Sequence, residues 1–226
     1  MVATTRPAAR ASLAGLYALT PDLVDTELLM TRVSAAIAGG ASAVQYRHQR
    51  AAPALRLEQA RSLQQLCAAR GVTFVVNDDA DLALAVGADG VHLGRDDGSV
   101  GTARARLGHA AIIGVSCYDS LERAAHAVDD GADYIAFGSF FPSTVKPDAV
   151  RATPALLTAA KARWNVPRVA IGGITVSRTQ PLIAAGADAV AVISALFDAP
   201  DVGAAAREFA SCFERQLAIH DSGTQR

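Results

Sequence analysis

Four related phrases, GGASAVQ, VGADGVH, DGADYIA and AGADAVA, constrain the fold of this chain more than any other feature of it. Each places Gly-Ala and one further small or acidic residue where a helical pattern gives way to an apolar run. The recurrence predicts a regular alternation of helices and strands. A simpler explanation is that any turn from a helix into a strand favours glycine and a small residue, so the repeat bears on architecture and not on activity.

Apolar runs and helical spacings alternate along nearly the whole chain. The predicted strands are Leu16–Thr20, Ala41–Arg47, Thr73–Val76, Gly90–Leu93, Ile112–Ser116, Asp133–Gly138, Arg168–Ile171 and Ala189–Ser194. A helix is predicted after each strand, the fourth beginning at Ala103 and the last covering 201–216.

Near-continuous apolar strands separated by helices are typical of parallel strands that helices cover. Eight such units predict the α/β class and a single (β/α)8 TIM barrel over residues 15–217, with flexible tails at 1–14 and 218–226. An open doubly wound sheet is the alternative, but no Gly-x-Gly-x-x-Gly follows the first strand.

Composition narrows the class of protein. The chain has 226 residues and a formal net charge of -1, so it offers no basic surface for nucleic acid. No apolar run reaches membrane-spanning length. Cys67, Cys117 and Cys212 are widely spaced and lack histidines at ligand spacing, which favours reduced thiols and a cytoplasmic location.

Polar residues follow the predicted strands at their carboxyl ends, where a barrel of this kind carries its chemistry. They are Gln45, Arg47, Asn77, Asp78, Asp97, Ser116, Ser143, Thr144, Lys146 and Ser194, and Gly172, Gly173 and Ile193 lie at the same strand ends. One polar residue at a strand end can be a helix cap, but a ring of them indicates a site.

The stretch from Phe74 to Asp97 contains two of these strand ends. A strand, a helix and a second strand in this length predict a right-handed crossover, which brings Asp78 and Asp97 to one edge of the sheet. Two carboxylates, with water and substrate phosphate, suit Mg²⁺. The alternatives are that these residues only cap helices, or that Asp79 takes the place of Asp78.

Two further strand ends suggest a phosphate site. IGGI ends the seventh strand and VIS the eighth, and backbone N–H groups freed there can bind phosphate, as is usual in this fold. Across from them, Arg47 and Lys146 can hold the anion that the metal bridges. A metal with two cations and a separate phosphate site indicate two substrates, a pyrophosphate and a monophosphate.

These residues lie in motifs that closely resemble those of the thiamine phosphate synthase family. The motifs are VQYR, VVNDDADLALAVGADGVHLGRDD, IGVS, GADYIAFG with the following Pro and Lys, and VAIGGIT with GADAVAVIS. The resemblance runs from Leu16 to Asp201. It implies a TIM-barrel transferase that joins 4-amino-5-hydroxymethyl-2-methylpyrimidine diphosphate to 4-methyl-5-(2-hydroxyethyl)thiazole phosphate and releases pyrophosphate.

The resemblance also implies roles for individual residues. Asp78 and Asp97 would bind Mg²⁺, the expected cofactor, and Gln45 would lie beside the pyrimidine. The catalytic set around the pyrophosphate would be Arg47, Asn77, Ser116 and Lys146. Further substrate-binding positions would be Gln49, Ser143, Val145, Gly173, Ile193 and Ser194. The expected partners are these two small molecules, with no nucleic acid and no membrane, and a homo-oligomer is compatible with the sequence.

Three departures from the family pattern are present, and the mildest is Arg95-Asp96-Asp97 where the family has Gln-Glu-Asp. Gln49 stands where the family usually has lysine, and Val145 where it has threonine. Loss of one charge-assisted contact can cost about 1.5 to 3 kcal/mol in the transition state. We hypothesise that Arg95 or Arg50 partly replaces the missing cation.

Three other functions are compatible with parts of this pattern. A thiazole tautomerase-like isomerase would keep the phosphate site without magnesium, but the presence of Asn77, Asp78, Asp97 and Lys146 counts against it. A degenerate barrel that binds thiamine precursors without catalysis is supported by Gln49 and Val145. A barrel enzyme acting on sugar phosphates is the third.

Overall fold

Eight parallel strands form a closed barrel in sequence order in the computed structural model, which describes residues 13–142 and 150–223. The strands are β1 Gly15–Leu19, β2 Ala41–Tyr46, β3 Thr73–Asn77, β4 Gly90–Leu93, β5 Ile112–Tyr118, β6 Tyr134–Gly138, β7 Arg168–Ile171 and β8 Ala189–Val192. Because β1 pairs with both β2 and β8, no edge remains open. The predicted (β/α)8 barrel is confirmed, and the doubly wound sheet is excluded.

The helices of the described residues surround the barrel. They are α1 Thr26–Ala38, α2 Pro53–Arg70, α3 Ala80–Val86, α4 Val100–Leu107, α5 Leu121–Asp129, α6 Pro154–Arg163, α7 Val176–Ala185, α8 Ser194–Phe197 and α9 Val202–Gly223.

Three helices differ from the prediction. The predicted start of α4 at Ala103 is wrong, because Ser99 caps the helix by accepting the N–H of Thr102. The short helix α8 was not predicted as a separate element. The predicted end of the last helix at 216 is also wrong, since no glycine or proline interrupts the chain before Gly223. The helix therefore enters the segment predicted as a C-terminal tail.

Residues alternate between two apolar cores along each strand. In β1, Leu16 and Ala18 pack outward against the helices, whereas Tyr17 and Leu19 point into the barrel. The same alternation in β2 turns Gln45 inward, where it is 3 % exposed. The barrel interior thus becomes polar toward the carboxyl ends of the strands, and this polarity positions the site.

The Gly-Ala repeats tie each even-numbered strand to the strand before it. In three of them the carboxylate of the repeat accepts the N–H of a neighbouring strand residue at 2.8 Å, in the pairs Asp89 with Phe74, Asp133 with Ile113, and Asp188 with Arg168. In the fourth, the hydroxyl of Ser42 donates to the carbonyl of Leu16. The glycine before each alanine lies at or just after the end of a helix in a positive-φ conformation, so the simpler explanation of the repeat accounts for its glycines but not for its acids.

Candidate active site

Two adjoining cavities open at the carboxyl ends of the strands. The first, which we call the carboxylate cleft, has a volume of about 690 Å³ and includes Arg47, Gln49, Asn77, Asp78 and Asp97 in its wall. The second, the mouth cavity, has a volume of about 380 Å³ and includes Gln45, Arg47, Asn77, Ser116, Gly173, Ile193 and Ser194. The structure therefore brings together the predicted site residues that it describes. Ser143, Val145 and Lys146 lie outside the described residues.

Asp78 and Asp97 reach the cleft from the ends of β3 and β4. Asp78 adopts a left-handed backbone conformation, with φ of 65°, and its N–H donates to the carbonyl of His92 at 2.8 Å. Aspartate tolerates this conformation better than most residues, although at some cost in strain. The Asp97 carboxylate accepts the N–H of Gly94 at 2.8 Å through Oδ2. Both carboxylates therefore stand in one cleft on short connections that follow rigid strands.

Asp79 is committed to other contacts. Its Oδ1 accepts the N–H of Leu82 at the start of α3, and its Oδ2 pairs with the Arg56 guanidinium at 3.0 Å. These contacts are those of a helix cap with an ion pair, so Asp79 has the contacts that the capping alternative predicts.

The two carboxylates of the cleft are of the oxygen-ligand type that Mg²⁺ takes. Within residues 13–142 and 150–223 no three side chains of the His, Cys, Asp and Glu types are grouped as a metal cage would need. Two carboxylates that leave the remaining positions to water and phosphate oxygens are the usual arrangement for Mg²⁺. Asp78 and Asp97 therefore fit the expected ion.

Arg47 belongs to the wall of both cavities and retains an unused donor. Its side chain is 11 % exposed, and Nη1 lies 3.9 Å from Oδ1 of Asp22. The hydroxyl of Thr20 accepts the N–H of Arg47 and donates to its carbonyl, which fixes the backbone. Among the described residues the buried Nη2 has no hydrogen-bond partner. A buried guanidinium with an unsatisfied N–H is suited to bind an anionic ligand.

The expected replacements for the missing lysine do not lie in the described wall of the cleft. Gln49 lines the cleft, but neither Arg50 nor Arg95 does. The Arg95 guanidinium instead lies over the ring of Tyr118, 4.9 Å from its centre. Our hypothesis that Arg50 or Arg95 replaces the lysine therefore receives no support from this geometry.

Two other arginines line the cleft, and each forms an ion pair. Arg56 pairs with Asp79, and Arg106 pairs with Asp81 at 2.6 Å. Since each faces a carboxylate, their charge is largely compensated. Sequence reasoning missed both, because an arginine on a helix carries no pattern that separates it from a solvated one.

Glycine conformations shape the far wall of the mouth cavity. Gly172 and Gly173 have φ values of 101° and 62°, and a Cβ on Gly173 would collide with the carbonyl of Pro142. Only glycine brings the backbone this close. Arg178, which sequence reasoning also missed, lines the same wall and donates from Nη1 to the carbonyl of Gly173 at 3.0 Å.

Ile193 and Ser194 complete that wall where β8 passes into α8. Ile193 precedes the helix with a φ of −113° and a ψ of −85°, and Ser194 begins it. The glycine pair and this helix start therefore meet in one cavity, as the phosphate-site prediction requires.

The inner wall of the mouth cavity is formed by Tyr17, His92 and Tyr134. Burial raises the pKa of both tyrosines well above the ordinary value, so each keeps its hydroxyl proton. The sequence placed these residues on strands but gave no sign that they contact one another.

Together, a closed barrel and a polar site at the carboxyl ends of its strands define a TIM-barrel enzyme. Residues 16–196 match the family model described as thiamine monophosphate synthase. The chain is 55 % identical over 199 residues to the thiamine-phosphate synthase of Thiobacillus denitrificans, covering 88 % of this chain and 94 % of that protein. It is 53 % identical over 199 residues to the enzyme of the same name from Chromobacterium violaceum, covering 88 % and 96 %.

A solved structure agrees with these relatives. The thiamine phosphate pyrophosphorylase of Pyrococcus furiosus superposes with a TM-score of 0.82 at 36 % identity, covering 92 % of this chain and 98 % of that one. The chain belongs to the thiamine monophosphate synthase family and is a transferase. In the described part of the chain, every helix is too short or too polar to cross a membrane.

Proposed function

We propose that this protein joins 4-amino-5-hydroxymethyl-2-methylpyrimidine diphosphate to 4-methyl-5-(2-hydroxyethyl)thiazole phosphate, forming thiamine phosphate and pyrophosphate with Mg²⁺ as cofactor. The observation that carries the proposal is that Arg47 and Asn77 line both cavities. A substrate with its diphosphate in the carboxylate cleft and its ring in the mouth cavity would pass between these two side chains.

The diphosphate end of the site is built to stabilise negative charge. Mg²⁺ held by Asp78 and Asp97 would neutralise charge on the leaving diphosphate. Arg47 would donate to a diphosphate oxygen from Nη2, which has no partner among the described residues, and Asn77 would donate its amide N–H beside it. By the family resemblance, Lys146 would add a second cation. These donors act where charge develops as the bond breaks.

The chemistry needs no protein nucleophile. The bond between the pyrimidine methylene carbon and the diphosphate oxygen breaks, and its electron pair leaves with pyrophosphate. The resulting pyrimidine-methyl cation is captured by the lone pair of the thiazole nitrogen, which forms the new C–N bond. The mouth cavity would shelter the cation from water, with Gln45 and Ser116 holding the ring.

The thiazole phosphate would occupy the far wall of the mouth cavity. Gly173, Ile193 and Ser194 would bind its phosphate through backbone N–H groups, an arrangement common at this position in the fold. Arg178 lies on the same wall and adds a positive charge that was not predicted from the sequence. Both substrates would then meet between the cleft and this wall.

A cytoplasmic site of action is part of the proposal. Cys67, Cys117 and Cys212 are buried and form no disulfide with one another, as suits a reducing compartment. The proposed partners are the two small-molecule substrates, and a homo-oligomer stays a prediction from sequence.

Product identification tests the proposed reaction. Purified protein should convert the two precursors together, but neither one alone, into thiamine phosphate and pyrophosphate in equal amounts, as followed by chromatography. The degenerate-barrel alternative predicts a thermal shift with either precursor and no product. The tautomerase-like alternative predicts isomerisation of a thiazole phosphate without the pyrimidine substrate.

A further inference from the structure

A continuous chain of hydrogen bonds crosses the barrel from Gln45 to Ser116. Gln45 Nε2 lies 3.0 Å from the Tyr17 hydroxyl, which lies 3.0 Å from the Tyr134 hydroxyl. The Tyr134 oxygen is 2.9 Å from Nδ1 of His92, and Nε2 of His92 is 2.9 Å from Oγ of Ser116. The five residues come from five different strands, and all of them line the mouth cavity.

Packing holds the residues of this hydrogen-bond chain in place. Tyr17 and Tyr134 are 1 % and 0 % exposed. The Tyr134 ring stacks on His92 with 5.5 Å between ring centres. It also occupies the space beside Gly114, where a Cβ would collide with it. Since close packing leaves these rings no room to rotate, the hydrogen bonds between them form a fixed path.

The bonds of the path are coupled in direction, because each inner member contributes only one proton. If each hydroxyl accepts one hydrogen bond and donates one along the path, a Gln45 amide nitrogen that donates to Tyr17 makes Tyr17 donate to Tyr134 and Tyr134 donate to Nδ1 of His92. A neutral His92 then carries its proton on Nε2 and donates to Ser116. The hydroxyl proton of Ser116 is left to donate outside the chain. Rotating the Gln45 amide by half a turn would reverse every bond and leave Ser116 donating to His92.

We propose that the three inner members of this chain are positioning residues, which keep Ser116 as a hydrogen-bond donor toward the bound pyrimidine diphosphate. The identity of that ligand rests on the proposed function. In the same state, the side-chain carbonyl of Gln45 would accept a hydrogen bond from the exocyclic amino group of the ring. A 4-oxo ring would favour the rotated amide and would turn Ser116 into an acceptor. The hydrogen-bond chain thus couples recognition of the pyrimidine ring by Gln45 to hydrogen-bond donation by Ser116.

The first test reads the tautomer of His92 directly. Nitrogen-15 NMR of the full-length protein, with the His92 signal identified by its loss in His92→Asn, should show protonated Nε2 and unprotonated Nδ1. Tyr134→Phe should abolish this preference. Tyr46→Phe is the matched control, because it removes a buried tyrosine hydroxyl, bonded to Gln59 Oε1 at 3.0 Å, that lies outside the chain. Protonated Nδ1 in the wild type would overturn the proposal.

The second test measures ligand choice without turnover. Calorimetric titration with the 4-amino diphosphate and its 4-oxo analogue, both with Mg²⁺, should show that the wild type prefers the amino compound. Tyr134→Phe should weaken that preference by about fivefold to tenfold, the value of one hydrogen bond. Adding Ser116→Ala should cost little more, because both changes remove the same donated bond. If Tyr134→Phe does not fold, Tyr17→Phe replaces it in the same titration, because it removes another hydroxyl of the hydrogen-bond chain.

The outcomes separate this inference from the proposed function. A folded Tyr134→Phe or Tyr17→Phe variant that keeps wild-type ligand preference, in a protein that makes thiamine phosphate, would contradict the inference alone. A wild-type protein with the expected tautomer and preference that makes no thiamine phosphate would contradict the proposed function alone.

Discussion

The carboxylate of Asp97 and the backbone N–H of Gly94 are joined by a 2.8 Å hydrogen bond at the carboxyl end of β4. This bond fixes one oxygen of a proposed Mg²⁺ ligand. A Cβ on Gly94 would lie 2.6 Å from that same oxygen. The Asp97 carboxylate can therefore occupy this position only because residue 94 has no side chain.

Gly94→Ala should raise the Mg²⁺ concentration needed for half-maximal activity by about tenfold. The new methyl group displaces a proposed ligand, which costs about as much as one hydrogen bond to a charged group. The free energy of unfolding should change by less than about 0.5 kcal/mol, because only the end of an exposed side chain must move. Gly101→Ala is the control, since its Cβ would meet only Ser99 Oγ at 3.8 Å. An unchanged Mg²⁺ requirement in Gly94→Ala would argue against Asp97 as a ligand.

Gln49→Lys should raise kcat/KM by about tenfold to a hundredfold. The side chain lines the carboxylate cleft, and Arg50 and Arg95 are absent from the described wall. A lysine would add one charge-assisted contact to the leaving diphosphate. Steady-state kinetics measures the gain, and Gln49→Met, of similar length and uncharged, should show none. Equal kcat/KM values for the wild type, Gln49→Lys and Gln49→Met would mean that another cation already contacts the diphosphate, as we hypothesised from the sequence.

Asp188→Ala should destabilise the fold more than Asp89→Ala. Each change leaves a strand N–H without its acceptor, which costs about 1 to 3 kcal/mol. Asp188 also lies 2.5 Å from the Arg168 guanidinium, whose side chain is only 3 % exposed, so its removal also takes a carboxylate away from a buried positive charge. Urea unfolding measures the difference. Equal losses would show that the ion pair contributes nothing beyond the shared hydrogen bond.

The thiols of Cys67 and Cys117 should resist alkylation in the folded protein. Burial raises the pKa of each to about 12, so the reactive thiolate is scarce at pH 8. Because the folded state favours the neutral thiol, this stabilisation is complete below the ordinary thiol pKa and is lost as the pH rises toward 12. Iodoacetamide labelling followed by mass spectrometry should modify the urea-unfolded chain far faster. Comparable labelling of the native protein at pH 8 would contradict the burial of these residues.

Local sequence signals were enough to predict the barrel and to bring the two proposed Mg²⁺ ligands to one edge of it. Apolar runs ending in Gly or Asp locate strands, and parallel topology then brings Asp78 and Asp97 to one edge. The contact between Tyr17 and Tyr134 could not be predicted in this way, because the two residues lie 117 positions apart and no local pattern joins them. The role of Asp79 stayed open for another reason: capping and metal binding use the same side chain, and only its contacts with Leu82 and Arg56 distinguish them.

Formation of thiamine phosphate by metal-stripped protein, measured as Mg²⁺ is added back, tests the central claim most directly. The account predicts no product in EDTA, full activity when Mg²⁺ is restored, and a loss of at least about a hundredfold in Asp78→Asn and in Asp97→Asn. Undiminished product in EDTA, or no product at any Mg²⁺ concentration from folded protein that binds both precursors, would contradict it.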